Sequence, residues 1–209
     1  MIRTKLARPV LESGDRLSRE EFHHRYCKRP DIKKAELVEG VVYVGSPVSV
    51  LHWDPHSRVN AWLTSYWVQH PVLKLGDNAT VYLDAASEVQ PDAFLLREEP
   101  GGPRLNEVGY VEGAPQLVVE IAASSASYDL HDKLRSYRRA GVREYVVWRV
   151  LDGAIDWLRL HEGEYLKVEP DQHGAIESTE FPGLRLHVAK MLAGDLAGVL
   201  AELRGASSG

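Results

Sequence analysis

Two acidic residues stand in stretches of the sequence that otherwise have the character of buried strands. Asp92 follows Pro91 and precedes the apolar run AFLL, and Glu120 interrupts the apolar run LVVEI. A buried carboxylate is costly unless it is paired, hydrogen-bonded or bound to a metal ion. Two carboxylates on neighbouring strands repel each other, and a divalent cation between them would relieve that repulsion. Because the ligand atoms are hard oxygens, the pair favours Mg²⁺.

A lysine completes this candidate site. Lys133 lies on a predicted helix after the strand of Glu120, and Tyr137 lies one turn further along the same helix face. A lysine near a metal-bound water can orient that water or stabilise the charge that develops on a phosphate. The alternative is a purely structural ion pair between Glu120 and Lys133, since structural ion-pair networks resemble active sites. In that alternative Asp92 caps a turn after Pro91.

The elements that must position these residues form an α/β pattern. Hydrophobic spacing and capping signals predict helices over 18–24, 56–69, 129–140 and 189–203. Apolar runs and turn signals predict strands within 35–44 and at 72–75, 79–84, 92–96, 117–121, 144–150, 154–160 and 164–168. The stretch 97–114 is predicted to be a long surface loop. The order strand–helix–strand from 117 to 150 predicts a crossover within a mixed central sheet flanked by helices.

The length and composition of the chain are those of a folded protein. Its 209 residues, 44% of them apolar and 26% charged, suit one domain with a sizeable core. We expect a flexible arm at 1–15, a single domain at 16–203 and a disordered tail at 204–209. The basic N-terminus lacks the apolar run of a signal peptide, and no stretch is apolar enough to span a bilayer. These features predict a cytoplasmic protein that does not bind membranes.

Several other functions find little support in the sequence. The single cysteine, Cys27, excludes an intramolecular disulfide and a cysteine-rich zinc site. His52 and His56 have the spacing of helical zinc ligands, but Pro55 lies between them and argues against a helix there. The net charge of -5 provides no global field for nucleic acid. The basic residues within 133–143 are interpreted as a solvated helix face.

Four stretches of the sequence occur in the order that is typical of a known family. The segments AELVEG, VQPDAFLL, QLVVEI and DLHDKLRSYRRAGVREYVVW resemble the Uma-two type of bacterial endonucleases. That family belongs to the PD-(D/E)xK, or restriction-endonuclease-like, superfamily, and the resemblance spans about residues 16–203. It implies a restriction-endonuclease-like α/β fold and Mg²⁺-dependent or Mn²⁺-dependent hydrolysis of DNA. It also implies a homodimer, because two active sites related by a two-fold axis most simply cut two strands.

The resemblance assigns roles to individual positions. Asp92 matches the aspartate of the Pro-Asp motif, Glu120 matches the strand glutamate, and Glu36 matches an N-terminal glutamate that can approach the metal. The superfamily usually has its lysine two residues after the strand glutamate, where this chain has Ala122. In this family the lysine lies on the following helix, and Lys133 matches it. The catalytic residues would then be Asp92, Glu120 and Lys133. Three further recurrent positions, with supporting roles, are matched by Tyr137, Asp129 and His56.

A second function remains open at this point. A non-catalytic module that binds nucleic acid or protein could retain the same fold, since a fold does not certify an activity. The acidic net charge favours the binding module, whereas the carboxylate pair with its lysine favours the enzyme.

Overall fold

The computed structural model of the chain describes residues 10–45, 49–123 and 129–205, and it describes the backbone alone at 129, 130, 204 and 205. The helices in this part of the chain are α1 (Arg19–Tyr26), α2 (Val50–Trp67), α3 (Leu134–Ala140), α4 (Val188–Ala193) and α5 (Leu196–Gly205). The strands are β1 (Ala35–Val38), β2 (Val41–Val44), β3 (Lys74–Asp77), β4 (Val81–Asp84), β5 (Ser87–Val89), β6 (Ala93–Leu96), β7 (Arg104–Leu105), β8 (Val111–Glu112), β9 (Leu117–Ala122), β10 (Glu144–Arg149), β11 (Ala154–His161), β12 (Glu164–Lys167), β13 (Ala175–Glu177) and β14 (Arg185–His187). A π-helical turn, Asp129–Lys133, leads directly into α3.

Two six-stranded sheets form the framework of the fold. The central sheet has the order β12-β11-β10-β9-β6-β3, and the second sheet has the order β2-β1-β5-β4-β8-β7. In the central sheet β9 and β10 are parallel, as the crossover between them requires, and the other strand pairs are antiparallel. Strands β13 and β14 form a separate hairpin. The predicted α/β fold with a mixed central sheet and flanking helices is therefore confirmed.

The central sheet is buried on both faces. Val119 of β9 lies in one apolar cluster with Trp62 of α2, and Val118 lies in another cluster with Val38 of the second sheet. Because successive residues of a strand point to opposite faces, Glu120 shares the face of Val118. Its side chain therefore points into the layer between the two sheets.

Helix α2 begins six residues before the predicted start at position 56. It starts at Val50 and contains Pro55, so the expectation that this proline excludes a helix was wrong. Pro55 removes only the hydrogen bond to the carbonyl of Leu51, an exposed residue near the helix start where water can replace it. As a consequence, His52 and His56 lie on one face of one helix.

Other predicted elements differ from the observed ones in their bounds. The predicted closing helix at 189–203 is two helices, because Gly194 adopts a left-handed conformation with a φ of 79° and caps the first of them. Strands β5, β7, β8, β13 and β14 have two or three residues each, too few for a periodic pattern to show. In the described part of the chain no helix combines the length and the apolar character needed to cross a membrane.

The predicted domain bounds stay a prediction. Residues 1–9 and 206–209 lie outside the described part of the chain. Within the predicted arm, Leu11 is buried in a cluster with Phe22 of α1, and the N–H of Gly14 donates to the carbonyl of Val42. Leu11 and Gly14 of the predicted arm therefore contact the folded part of the chain.

Candidate active site

Four charged residues reach the layer between the central sheet and the second sheet. Glu120 lies on β9 and Glu36 lies on β1 of the second sheet. Asp92 immediately precedes β6, and Lys133 is the last residue of the π-helical turn. None of these side chains is more than 7% exposed. The cluster is therefore buried, although every member carries an ionisable group.

Asp92 and Glu120 face each other across two paired strands. Strands β6 and β9 are antiparallel with Ala93 opposite Val119, and one further step along this register pairs Asp92 with Glu120. Directly opposite residues project from the same face of a sheet. The backbone N–H of Ile121 also donates to Oδ2 of Asp92 over 2.8 Å. The two carboxylates thus lie on one face, as a shared metal site would require.

Lys133 connects the two sheets through their glutamates. Its Nζ lies 2.8 Å from Oε2 of Glu36 and 2.9 Å from Oε1 of Glu120. The other oxygen of Glu36, Oε1, accepts from the backbone N–H of Gln90 over 2.7 Å. The structure therefore brings Glu36, Glu120 and Lys133 into direct contact, with Asp92 beside Glu120.

Tyr137 holds the same glutamate from the next helical turn. Its hydroxyl donates to Oε1 of Glu120 over 2.7 Å, the oxygen that also accepts from Lys133. Burial and the charge of Glu120 raise the pKa of Tyr137 well above its ordinary value. The hydroxyl therefore keeps its proton and acts as a hydrogen-bond donor.

Asp92 is held by donors rather than repelled by its neighbour. Its Oδ1 lies 3.0 Å from Nζ of Lys34, and its Oδ2 lies 3.1 Å from Nε2 of His52. Burial opposes ionisation, but the His52 hydrogen bond and the charges of Lys34 and Lys133 outweigh it and lower the pKa of Asp92. The sequence had indicated mutual repulsion of Asp92 and Glu120. In the folded chain the attraction of Asp92 to the neighbouring lysines outweighs that repulsion.

Lys34 and His52 are site residues that the sequence reasoning missed. Lys34 stands two residues before Glu36, and a period of two places both side chains on one face of an extended segment. That spacing could have identified Lys34. The four-residue spacing of His52 and His56 could have identified His52, had Pro55 not been interpreted as a helix breaker.

The supporting residues differ in their relation to the site. His56 makes two local polar contacts, since its Nε2 lies 2.8 Å from the carbonyl oxygen of Asp92 and 3.1 Å from Oδ1 of Asp77. The side chain of Asp129 lies outside the described residues. Glu39, three residues after Glu36, is ion-paired with Arg139 over 3.1 Å, whereas Lys133 contacts Glu36.

The donor set fits a hard divalent cation in its chemistry. Glu36, Asp92 and Glu120 provide carboxylate oxygens, the ligands that Mg²⁺ and Mn²⁺ prefer. When these carboxylates are ionised, Lys34 and Lys133 neutralise two of their three negative charges and leave one. Within the described residues no three His, Cys, Asp or Glu side chains are arranged to hold a metal ion as they stand. Lys133 lies between Glu36 and Glu120, and Lys34 lies between Asp92 and the side-chain oxygen of Asn78.

The basic run that follows Lys133 is largely neutralised. Each of its four arginines is ion-paired with an acidic side chain: Arg135 with Asp132, Arg138 with Glu164, Arg139 with Glu39 and Asp84, and Arg143 with Glu99 and Glu180. These pairs agree with a solvated face for the arginines, but the interpretation was wrong for Lys133, which is buried, and Arg143 lies beyond the end of α3.

The chain matches the model of one protein family over most of its length. This family, Uma2, has the description "Putative restriction endonuclease", and its model matches residues 19–189. The chain therefore belongs to this family, and the resemblance drawn from the four sequence segments is confirmed. A comparison with curated proteins gave no match.

A solved structure shares the fold. It is described as the crystal structure of a "putative nuclease belonging to DUF820" from Anabaena variabilis ATCC 29413. The similarity has a TM-score of 0.65 and covers 81% of this chain and 96% of that chain, at 12% sequence identity. At such low identity the comparison concerns the fold alone.

Proposed function

We propose that this protein is a metal-dependent endonuclease that hydrolyses phosphodiester bonds in DNA. Asp92, Glu120 and Lys133 are its catalytic residues in this proposal. The observation that supports it most is the buried contact of Lys133 with Glu36 and Glu120, beside Asp92 on the same face of the sheet. Membership of a family described as "Putative restriction endonuclease" supports the choice of reaction.

Three carboxylates would hold the metal ion. Asp92 and Glu120 face each other and Glu36 approaches from the second sheet, so each can contribute an oxygen ligand to Mg²⁺ or Mn²⁺. When bound, such an ion supplies Lewis-acid activation of water and stabilises charge on the phosphate. Asp92 is available as an anionic ligand at neutral pH, because its hydrogen bonds and neighbouring cations hold its pKa low.

The remaining residues orient these groups. Lys133 contacts Glu36 and Glu120 through its ammonium group, which in this proposal aims a water molecule or contacts a phosphate oxygen. Tyr137 fixes Glu120. His56 contacts the carbonyl of Asp92 and so keeps the start of β6 in place. Preorganisation of this kind lowers a barrier because the donors need not reorient during the reaction.

The proposal includes DNA as substrate and a homodimer as the active form. Both rest on the family and on the two-fold symmetry of a duplex. A homodimer would present two sites, one to each strand.

A non-catalytic binding module is the second candidate. The observation that favours it is that each carboxylate of the cluster contacts a lysine, together with a net charge of -5. In that case Lys133 serves only to neutralise Glu36 and Glu120.

Cleavage of supercoiled plasmid DNA with Mg²⁺ or Mn²⁺ distinguishes the two candidates. We expect the wild-type protein to cut and Lys133→Met to cut about 10²-fold more slowly, with little change in DNA binding. Lys167→Met is the matched control, because Lys167 is also ion-paired, over 3.1 Å with Asp156, but lies on β12, three strands from β9. A folded wild-type protein that binds DNA and never cuts it would favour the binding module.

A further inference from the structure

We propose that Lys34 is a built-in competitor of the divalent cation, which has to leave Asp92 before the ion can bind. This inference rests on the proposed function and concerns how the same site regulates its metal affinity. It assigns a role to a residue outside the family motifs quoted above.

The contacts of Asp92 determine where an ion can bind. Its Oδ2 already accepts from the backbone N–H of Ile121 and lies 3.1 Å from His52, and the Ile121 bond is part of the packed strand. Its Oδ1 accepts from Nζ of Lys34 over 3.0 Å, and the same Nζ donates to Oδ1 of Asn78 over 3.1 Å. An ion ligated through Oδ1 would therefore occupy the space of the Lys34 ammonium group.

The two lysines of the site differ in their freedom to move. The side chain of Lys133 is 3% exposed, whereas that of Lys34 is 30% exposed. Lys34 can therefore rotate toward solvent and regain water contacts. Movement of Lys133 would instead leave the buried carboxylates of Glu36 and Glu120 without their cation, which is costly. Lys34 is thus the lysine that can exchange with an ion.

The charge of the site changes favourably on this exchange. With both lysines in place the three carboxylates keep one net negative charge. With Lys34 displaced and a divalent cation bound, the charges of Lys133 and the ion together balance those of the three carboxylates. Lys34 is attracted to the site by the charges of Glu36 and Asp92. The free energy needed to displace it therefore lowers the apparent affinity of the wild type for the ion.

The test is a calorimetric titration of the full-length chain with Mn²⁺. We expect Lys34→Met to bind Mn²⁺ about tenfold more tightly than the wild type, since it removes a cation that lies 3.0 Å from a ligand oxygen. Lys34→Arg keeps the charge and should bind like the wild type. Lys33→Met is the matched control, because Lys33 is the adjacent exposed lysine, and it should leave the affinity unchanged.

The outcomes separate this inference from the proposed function. Equal Mn²⁺ affinity in the wild type and Lys34→Met would overturn the competition and leave the metal site intact. Mn²⁺ binding by Lys34→Met alone would support the competition in its strongest form. No binding by any of the proteins would overturn the metal site and the inference with it. If a melting curve shows that Lys34→Met does not fold, Lys34→Gln provides the neutral side chain.

Discussion

The central sheet carries two buried glutamates on neighbouring parallel strands, and their surroundings differ. Glu120 of β9 is 2% exposed and Glu144 of β10 is 0% exposed. Glu144 accepts from the hydroxyls of Ser178 and Thr179, from the N–H of Thr179, and more distantly from Arg159 at 3.4 Å. Neutral donors within one loop thus satisfy most of its hydrogen-bonding capacity.

Glu120 instead shares its surroundings with other acids. It lies opposite Asp92 and is joined to Glu36 through Lys133, and a tyrosine supplies its neutral donor. Burial of a carboxylate therefore does not by itself mark a reactive site, since Glu144 is buried more deeply. The distinguishing feature of Glu120 is that several carboxylates converge around a few cations. Burying so many charges together costs more free energy than burying one hydrogen-bonded glutamate such as Glu144.

The largest expected difference is in DNA cleavage. Glu120→Gln should lower metal-dependent cleavage of plasmid DNA by about 10²-fold or more, because it removes a proposed ligand and a contact of Lys133. Glu144→Gln should keep cleavage near the wild-type rate below its melting temperature, although it should unfold more easily because its hydrogen bonds weaken. Equal losses of activity in the two folded variants would remove the distinction between the glutamates.

The next effect concerns stability and its restoration by metal. Lys133→Met leaves Glu36 and Glu120 without their shared cation and should lower the free energy of unfolding by about 3–5 kcal/mol. If these glutamates are metal ligands, added Mn²⁺ should recover part of that loss in a denaturant titration. Arg159→Met, beside Glu144, is the control that Mn²⁺ should not restore. Restoration of both variants, or of neither, would speak against a metal site at Lys133.

The smallest effect is the acid sensitivity of the fold. The pKa of Asp92 is lower in the folded chain than in an unfolded one, where it is about 3.9. The contribution of Asp92 to the free energy of unfolding is therefore complete above the pKa of the unfolded chain and is lost progressively as the pH falls below it. Between the two pKa values Asp92 should lower stability by about 1.4 kcal/mol for each pH unit of acidification, the slope of one proton.

The melting temperature of Asp92→Asn should therefore decline less steeply than that of the wild type as the pH falls below about 4, as measured by circular dichroism. A decline as steep as that of the wild type would mean that Asp92 is not the acid-sensitive group. Asp156→Asn provides a comparison, because Asp156 also has a lowered pKa but lies on β11, away from the cluster.

The sequence predicted the strands and residues whose signals are local. The apolar run around Glu120 and the capping signals of the helices predicted at 18–24 and 129–140 each lie within a few residues, and the structure has strand β9 and helices capped by Ser18 and Gly141. The motif residues of the candidate site followed from the family resemblance. The crossover accounts for the proximity of Glu120 and Lys133, whereas Asp92 and Glu36 reach the cluster from the start of β6 and from the second sheet.

Lys34 and His52 could not be predicted in the same way, because their roles arise from contacts between distant segments. Lys34 reaches Asp92 across 58 positions and His52 reaches it across 40. Neither residue interrupts an apolar pattern as Glu120 does. A proline near a helix start also misled the interpretation of His52, since its cost depends on whether one exposed carbonyl can be hydrated.

In the proposed function Asp92, Glu120 and Glu36 form a divalent cation site. Calorimetric titration of Mn²⁺ into the wild type and into Asp92→Asn tests it most directly, with Glu144→Gln as the matched variant of a buried acid outside the cluster. We expect one ion per chain, with a dissociation constant in the micromolar to millimolar range, for the wild type and Glu144→Gln, and none for Asp92→Asn. Identical binding in all three proteins would contradict it.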